Sequence, residues 1–204
     1  MEEFSFSSAP LSKPGRPNHR GALDVGRAIC SHTSRNWPGA SEGRSLANNP
    51  MPYEIKLTDV QAIPTAVIRS RVQPKELSKF VPAACGEVWS FIRSAGLPRP
   101  GRHVALYLEA GLVEVGAEIS EPFAGNDRVQ CSQLPAGRVV AATHFGPYAR
   151  LGEAHSEIRQ WSGGRGHRLS SICWEIYGHW EESWQADPSK IRTDVFHLLE
   201  DQTG

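Results

Sequence analysis

The residues best suited to chemistry lie near the C-terminal end, in the run Ser171-Ile172-Cys173-Trp174-Glu175-Ile176-Tyr177. Read as a strand, it puts Cys173, Glu175 and Tyr177 on one face, and Trp174 and Ile176 on the other, expected under helices. A carboxylate among apolar neighbours is costly to bury without partners. Glu175 is therefore either a structural acid, solvated or paired with an arginine, or the acid of a site. Tyr107, Tyr148, Tyr177 and Phe196 are the aromatic candidates to join it, since each ring face attracts a cation by about 0.5–2 kcal/mol. His144 is a candidate hydrogen-bond donor, or equally a structural histidine that ends its strand and caps a helix entry. Trp89 and Trp161 read as core anchors. Trp180 and Trp184 follow Glu175 in a loop and suit either a lid or surface packing. The sequence has no serine–histidine–acid or phosphate-loop motif. Cys30, Cys85, Cys131 and Cys173 are far apart, so reduced cysteines are expected, with no metal site, no disulfide framework and no cofactor.

The elements that must carry these residues begin near Pro52. Tyr53 to Val60 reads as a strand with Tyr53, Ile55 and Leu57 on one face, and Ala62 to Val72 as a second. A helix is expected from about Lys75 to Ala95, with Pro82 in the first turn of its main part and Val81, Ala84, Cys85, Val88 and Ile92 as its apolar stripe. Gly96 ends it. His103 to Glu109 and Leu112 to Ser120 form a hairpin at Ala110-Gly111. Strands follow at Val129 to Leu134 and Arg138 to His144. The next helix runs from Pro147 to about Trp161, with Tyr148, Leu151, His155, Ile158 and Trp161 on one face, and ends at Gly163-Gly164. Strands at Ser171 to Tyr177 and Ile191 to Leu199 close the chain.

This order repeats. Ile63-Pro64 matches Leu134-Pro135 at an offset of 71 residues, Trp89 matches Trp161 at 72, and Tyr107 matches Tyr177 at 70. A nearly constant offset with the same element order predicts an internal duplication. The expected fold is α+β: duplicated strand–helix–strand units in one antiparallel sheet, helices on one face, and a pocket at the pseudo-twofold seam.

Composition sets outer bounds. The chain has 204 residues with 22 basic and 22 acidic side chains, so no net field draws it to nucleic acid. No apolar run suggests a membrane span. Residues 1–50 hold eight Ser, five Pro and five Gly, without apolar periodicity, and are expected to be disordered. A flexible tail, a targeting segment or a start assigned too early would each account for them, Met51 marking where regular patterning begins. Residues 51–204 are then one domain, expected to be cytoplasmic.

Two clusters resemble a known family. Leu134-Pro135-Ala136-Gly137, Thr143-His144-Phe145-Gly146-Pro147-Tyr148, Leu151 and Trp161 resemble the second repeat of GyrI-like domains, which also serve as effector-binding domains of AraC-type and MerR-type regulators. Trp174-Glu175-Ile176-Tyr177, Asp187-Pro188 and Arg192-Thr193-Asp194 resemble the family's closing motif. The resemblance covers about residues 52 to 200. It implies a pocket between the repeats, lined by aromatics, with Glu175 at its base to pair with hydrophobic cations; the residues themselves add Tyr177, Tyr107, Tyr148, Phe196, Cys173 and His144 as its expected ligand-binding neighbours. With no helix-turn-helix evident, the chain looks like a standalone member. The resemblance implies a drug-binding protein first. It implies secondly a hydrolase of cyclopropane-type genotoxins, with Glu175 as general base for water and Tyr107, Tyr177 or His144 stabilising the oxyanion. A gyrase-modulating interaction module is the third possibility.

Overall fold

The computed structural model describes residues 53–200; the expectations for residues 1–50 fall outside them. Eight strands form one sheet: β1 (Ile55–Val60), β2 (Ile63–Arg71), β3 (His103–Tyr107), β4 (Leu112–Glu118), β5 (Gln130–Leu134), β6 (Gly137–Phe145), β7 (Leu169–Tyr177) and β8 (Arg192–Leu199). Helices α1 (Leu77–Ser94) and α2 (Leu151–Gly163) are the long ones, and α3 (Ser183–Ala186) is a single turn. No helix among the described residues is long and apolar enough to cross a membrane.

The strand order is β1-β6-β8-β7-β3-β4-β2-β5, with every neighbouring pair antiparallel. Exchanging the first four strands for the last four reverses this order onto itself, which is compatible with the expected repeat. The edge strands are exchanged between halves: β1 pairs with β6, and β5 with β2.

That order forces the sheet to curl. Strands β1 and β2 stand six places apart, about 29 Å across a flat sheet. Only Gln61 and Ala62 join them, and three Cα steps reach at most about 11 Å. Pro135 and Ala136 impose the same constraint on β5 and β6. The sheet therefore bends, and its two faces acquire different cores.

The outer face carries both helices. The α1 stripe of Val81, Ala84, Cys85, Val88 and Ile92 is buried as expected, joined by Leu77, and packs with Ala66, Ile68, Val113 and Val115 of the sheet. Leu151, Ala154 and Ile158 of α2 join the same cluster. The concave face has no helix. Val104, Leu106, Leu134, Val139, Trp174 and Ile176 fill it, and curling alone leaves Trp174 only 2% exposed.

Local chemistry sets the helix ends, with two differences from the sequence reading. Helix α1 starts at Leu77, so Pro82 lies inside it rather than in its first turn. A one-turn 3-10 helix at Pro74–Glu76 launches it, with the Glu76 carboxylate accepting from the Gln73 backbone N–H. An interior proline costs about 3 kcal/mol, yet the apolar stripe runs through this position and its burial outweighs that loss. The second difference is at α2. Gly164 is right-handed, and Gly166 takes the left-handed turn at φ 72°. Gly96 does the same for α1 at φ 63°. At each end the N–H one residue beyond the glycine, Leu97 or His167, bonds back to Ile92 or Ser162, closing a Schellman turn.

Candidate functional site

Strand β7 lies at the centre of the sheet, between β8 and β3. Its alternation is as expected, but the faces are the reverse of the expectation. Cys173, Glu175 and Tyr177 point under the helices, whereas Trp174 and Ile176 line the concave face. The reason is the curl: it supplies a second apolar interior, which takes the larger side chain.

Glu175 is 0% exposed. Its Oε2 accepts from the Tyr177 hydroxyl at 2.5 Å and from the Tyr107 hydroxyl at 3.1 Å. Its Oε1 lies 2.9 Å from His155 Nε2. His155 Nδ1 in turn lies 2.9 Å from His197 Nε2. No lysine or arginine among the described residues pairs with Glu175; its salt-bridge partner is His155. The acid is therefore neither solvated nor arginine-paired. It sits at the head of a buried chain of polar groups, each with a hydrogen-bond partner.

Sheet register explains why these groups meet. Tyr107 is the cross-strand partner of Cys173, and His197 is its partner on the other side. Glu175 lies between Ala105 and Val195, so its flanking positions on the sheet are small. His155 descends from α2, within its buried stripe.

Burial sets the protonation of the surroundings. Desolvation, with the Glu175 charge as a smaller cause, holds the Tyr107 and Tyr177 hydroxyls well above their usual range, so both stay protonated donors. Burial pushes Tyr148 up to about 12 and the Cys85 thiol to about 12. Burial also drives His197 down to about 2, helped by the neighbouring His155 and Arg159.

Of the residues predicted from sequence, Glu175, Tyr177 and Tyr107 come together directly. Tyr148 joins them edge-on to Tyr177, ring centroids 5.5 Å apart. Cys173 lies on the same face, 1% exposed. The expectation of reduced cysteines fits Cys85 and Cys131, which are free thiols. Phe196 does not converge on the site. Alternation along β8 sends Val195 and His197 to the helix side and turns Phe196 to the concave face, where it stacks on Trp174 at 5.3 Å. His144 is buried beside the start of α2, its Nε2 3.3 Å from the Pro147 carbonyl and its Nδ1 2.9 Å from the Tyr53 hydroxyl. Burial lowers its pKa. A neutral ring that donates from Nε2 and accepts at Nδ1 satisfies both bonds.

Among the tryptophans, Trp184 is 5% exposed and fills the space beside Gly178, where an added Cβ would stand 2.8 Å from its ring. Trp180 meets it edge-on and is half exposed. Trp161 sits at the rim rather than in the core, stacked on His167 with the Arg165 guanidinium 4.3 Å from its ring centre.

The sequence reading missed His155 as a site residue and did not mention His197. The signal was present: each is a histidine at a position where periodicity demands an apolar side chain.

Comparison with known proteins agrees with this architecture. No protein with a curated description matches the chain. Among solved structures, the crystal structure of the EcmrR C-terminal domain aligns at TM-score 0.59 and 19% identity, covering 74% of this chain and 99% of that one. The EcmrR–DNA complex in EcmrR-RPo aligns at 0.55 and 21%, and there the match spans 74% of this chain but 58% of the longer chain. The structure of SAV2435 bound to tetraphenylphosphonium aligns at 0.52 and 10%, covering 72% and 94%. At these identities the likeness is one of fold. The profile of the GyrI-like small molecule binding domain matches residues 53–197, and the chain therefore belongs to the GyrI-like family.

Proposed function

We propose that the domain binds lipophilic, cationic small molecules at Glu175. The observation that carries this is a carboxylate with no solvent exposure, on the central strand, framed by tyrosines and paired with no fixed cation side chain. A buried carboxylate supplies charge complementarity that water does not screen, and tyrosine rings add attraction for a cation. The tetraphenylphosphonium bound by the structurally similar SAV2435 is a ligand of this chemical class. Since Glu175, Tyr107, Tyr148 and Tyr177 are all 7% exposed or less, the ligand enters by displacing a side chain. Tyr148 is the best placed to move, on a one-turn 3-10 helix ahead of α2.

The hydrolase reading draws less support from the same geometry. Glu175 already accepts three hydrogen bonds, leaving one of its roughly four lone-pair sites for a water. A cation needs only the charge, whereas a nucleophilic water needs that lone pair aimed at it.

The test is a titration of the full chain with tetraphenylphosphonium. Micromolar binding is expected, and Glu175→Gln is expected to weaken it at least tenfold. Equal affinity in wild type and variant would remove Glu175 from the site.

A further inference from the structure

The chain of groups behind Glu175 has a property that the carboxylate alone lacks. Glu175, His155 and His197 are each 3% exposed or less, and both links in the chain are 2.9 Å long. A hydrogen bond between two imidazole nitrogens holds one proton and can run in either direction. In one direction both rings are neutral: His197 Nε2–H donates to His155 Nδ1, and His155 Nε2–H donates to Glu175. In the other, a proton enters at His197 Nδ1 and the Nε2 proton of His197 passes to His155 Nδ1. His155 is then an imidazolium that donates from both nitrogens, to His197 Nε2 and to Glu175. No heavy atom moves and neither bond is lost. The cluster carries one negative charge in the first state and none in the second.

The surroundings decide where the added charge rests. His197 resists charge because burial, His155 and Arg159 all oppose it. His155 lies against the carboxylate. The other titratable neighbours are neutral donors: Tyr107 from β3, Tyr177 from β7, Tyr148 ahead of α2 and Cys85 from α1. Burial lowers the pKa of His144 from β6. Arg150 and Glu153, near the start of α2, pair with each other.

We propose that the His155–His197 pair stores a proton as the internal counterion of Glu175, and that an organic cation binds by exchange, one cation entering as one proton leaves. This rests on the cation-binding reading above and adds its regulation: the site loads as pH rises and unloads as pH falls. By linkage, affinity changes up to tenfold per pH unit over the range where the cluster holds the proton.

Calorimetric titration of the full chain with tetraphenylphosphonium, in buffers of different ionisation enthalpy between pH 5 and 9, measures the exchange. Release approaching one proton per cation at the acid end, and affinity rising with pH, are expected. His155→Gln is expected to bind with no proton release and a flat pH profile. Should that variant fail to fold, nitrogen-15 histidine spectra of the wild type give the same answer, with His155 passing from imidazolium to neutral on cation addition. Binding without proton release at any pH overturns the exchange and leaves the cation site standing; absence of binding overturns both.

Discussion

The two faces of the curled sheet solve the problem of burial in different ways: the concave face pairs its buried acid with an arginine, the helix face pairs Glu175 with tyrosines and a histidine, and β7 serves both. On the concave side Trp174 and Ile176 pack with other apolar groups, and a buried carboxylate on that face, Glu114 opposite Leu106, is ion-paired with Arg69 and accepts from Ser132. Between Trp174 and Ile176 on the same strand, Glu175 is equally buried but survives by hydrogen bonding. The apolar cluster around Trp174 can tolerate changes that conserve volume. The group around Glu175 requires a closed set of donors and acceptors, and losing one member leaves the rest unsatisfied. A core that must stay polar is the one worth testing for function.

Four changes test this contrast. The largest effect is expected for Trp174→Ala, which should cost about 3–5 kcal/mol by opening the concave core, seen as a lower denaturation midpoint. The folded fraction should keep its ligand affinity, and an affinity loss would mean the faces communicate. Next is Tyr177→Phe, which removes a donor to a carboxylate and should cost about 1.5–3 kcal/mol, together with weaker cation binding. Acid is third. His197 has a native pKa of about 2, far below its unfolded value near 6.5. The unfolded state therefore binds more protons between these values, and stability falls as pH drops below about 6, by up to roughly 1.4 kcal/mol per unit. Thermal midpoints measured from pH 7 to 4 should show this, and His197→Gln should flatten the profile; an unchanged slope would put the acid sensitivity elsewhere. The smallest is Phe196→Leu, at about 1 kcal/mol with affinity unchanged. Lost affinity there would return Phe196 to the ligand.

Much of this contrast was legible in the sequence, and what was not has a physical reason. The α1 stripe from Val81 to Ile92 was readable because a 3.6-residue period survives even an interior proline. Alternation gave Glu175 the company of Tyr177 because both lie on one strand. Which face lay under the helices was not readable, since that depends on the curl, and the curl depends on strand order. Phe196 was misplaced for the same reason. His155 and His197 are 42 residues apart, and nothing local announces that α2 sets one above the other. Tyr107 could be matched with Tyr177 from the offset of 70 residues, but their shared bond to one carboxylate oxygen is a matter of cross-strand register.

The exchanged edge strands have a consequence for how the molecule forms. Since β1 is finished by β6 and β5 by β2, neither half can complete its own layer before the other exists. The pairings that close the sheet join residues far apart in the chain, and such non-local contacts place folding on the slower, millisecond-to-second scale. Separately produced halves should each display an unpaired edge that only the other half, or the matching segment of a second copy, can cover. The connection between β4 and β5 is thus a place where two chains could trade halves without altering a single contact around Glu175.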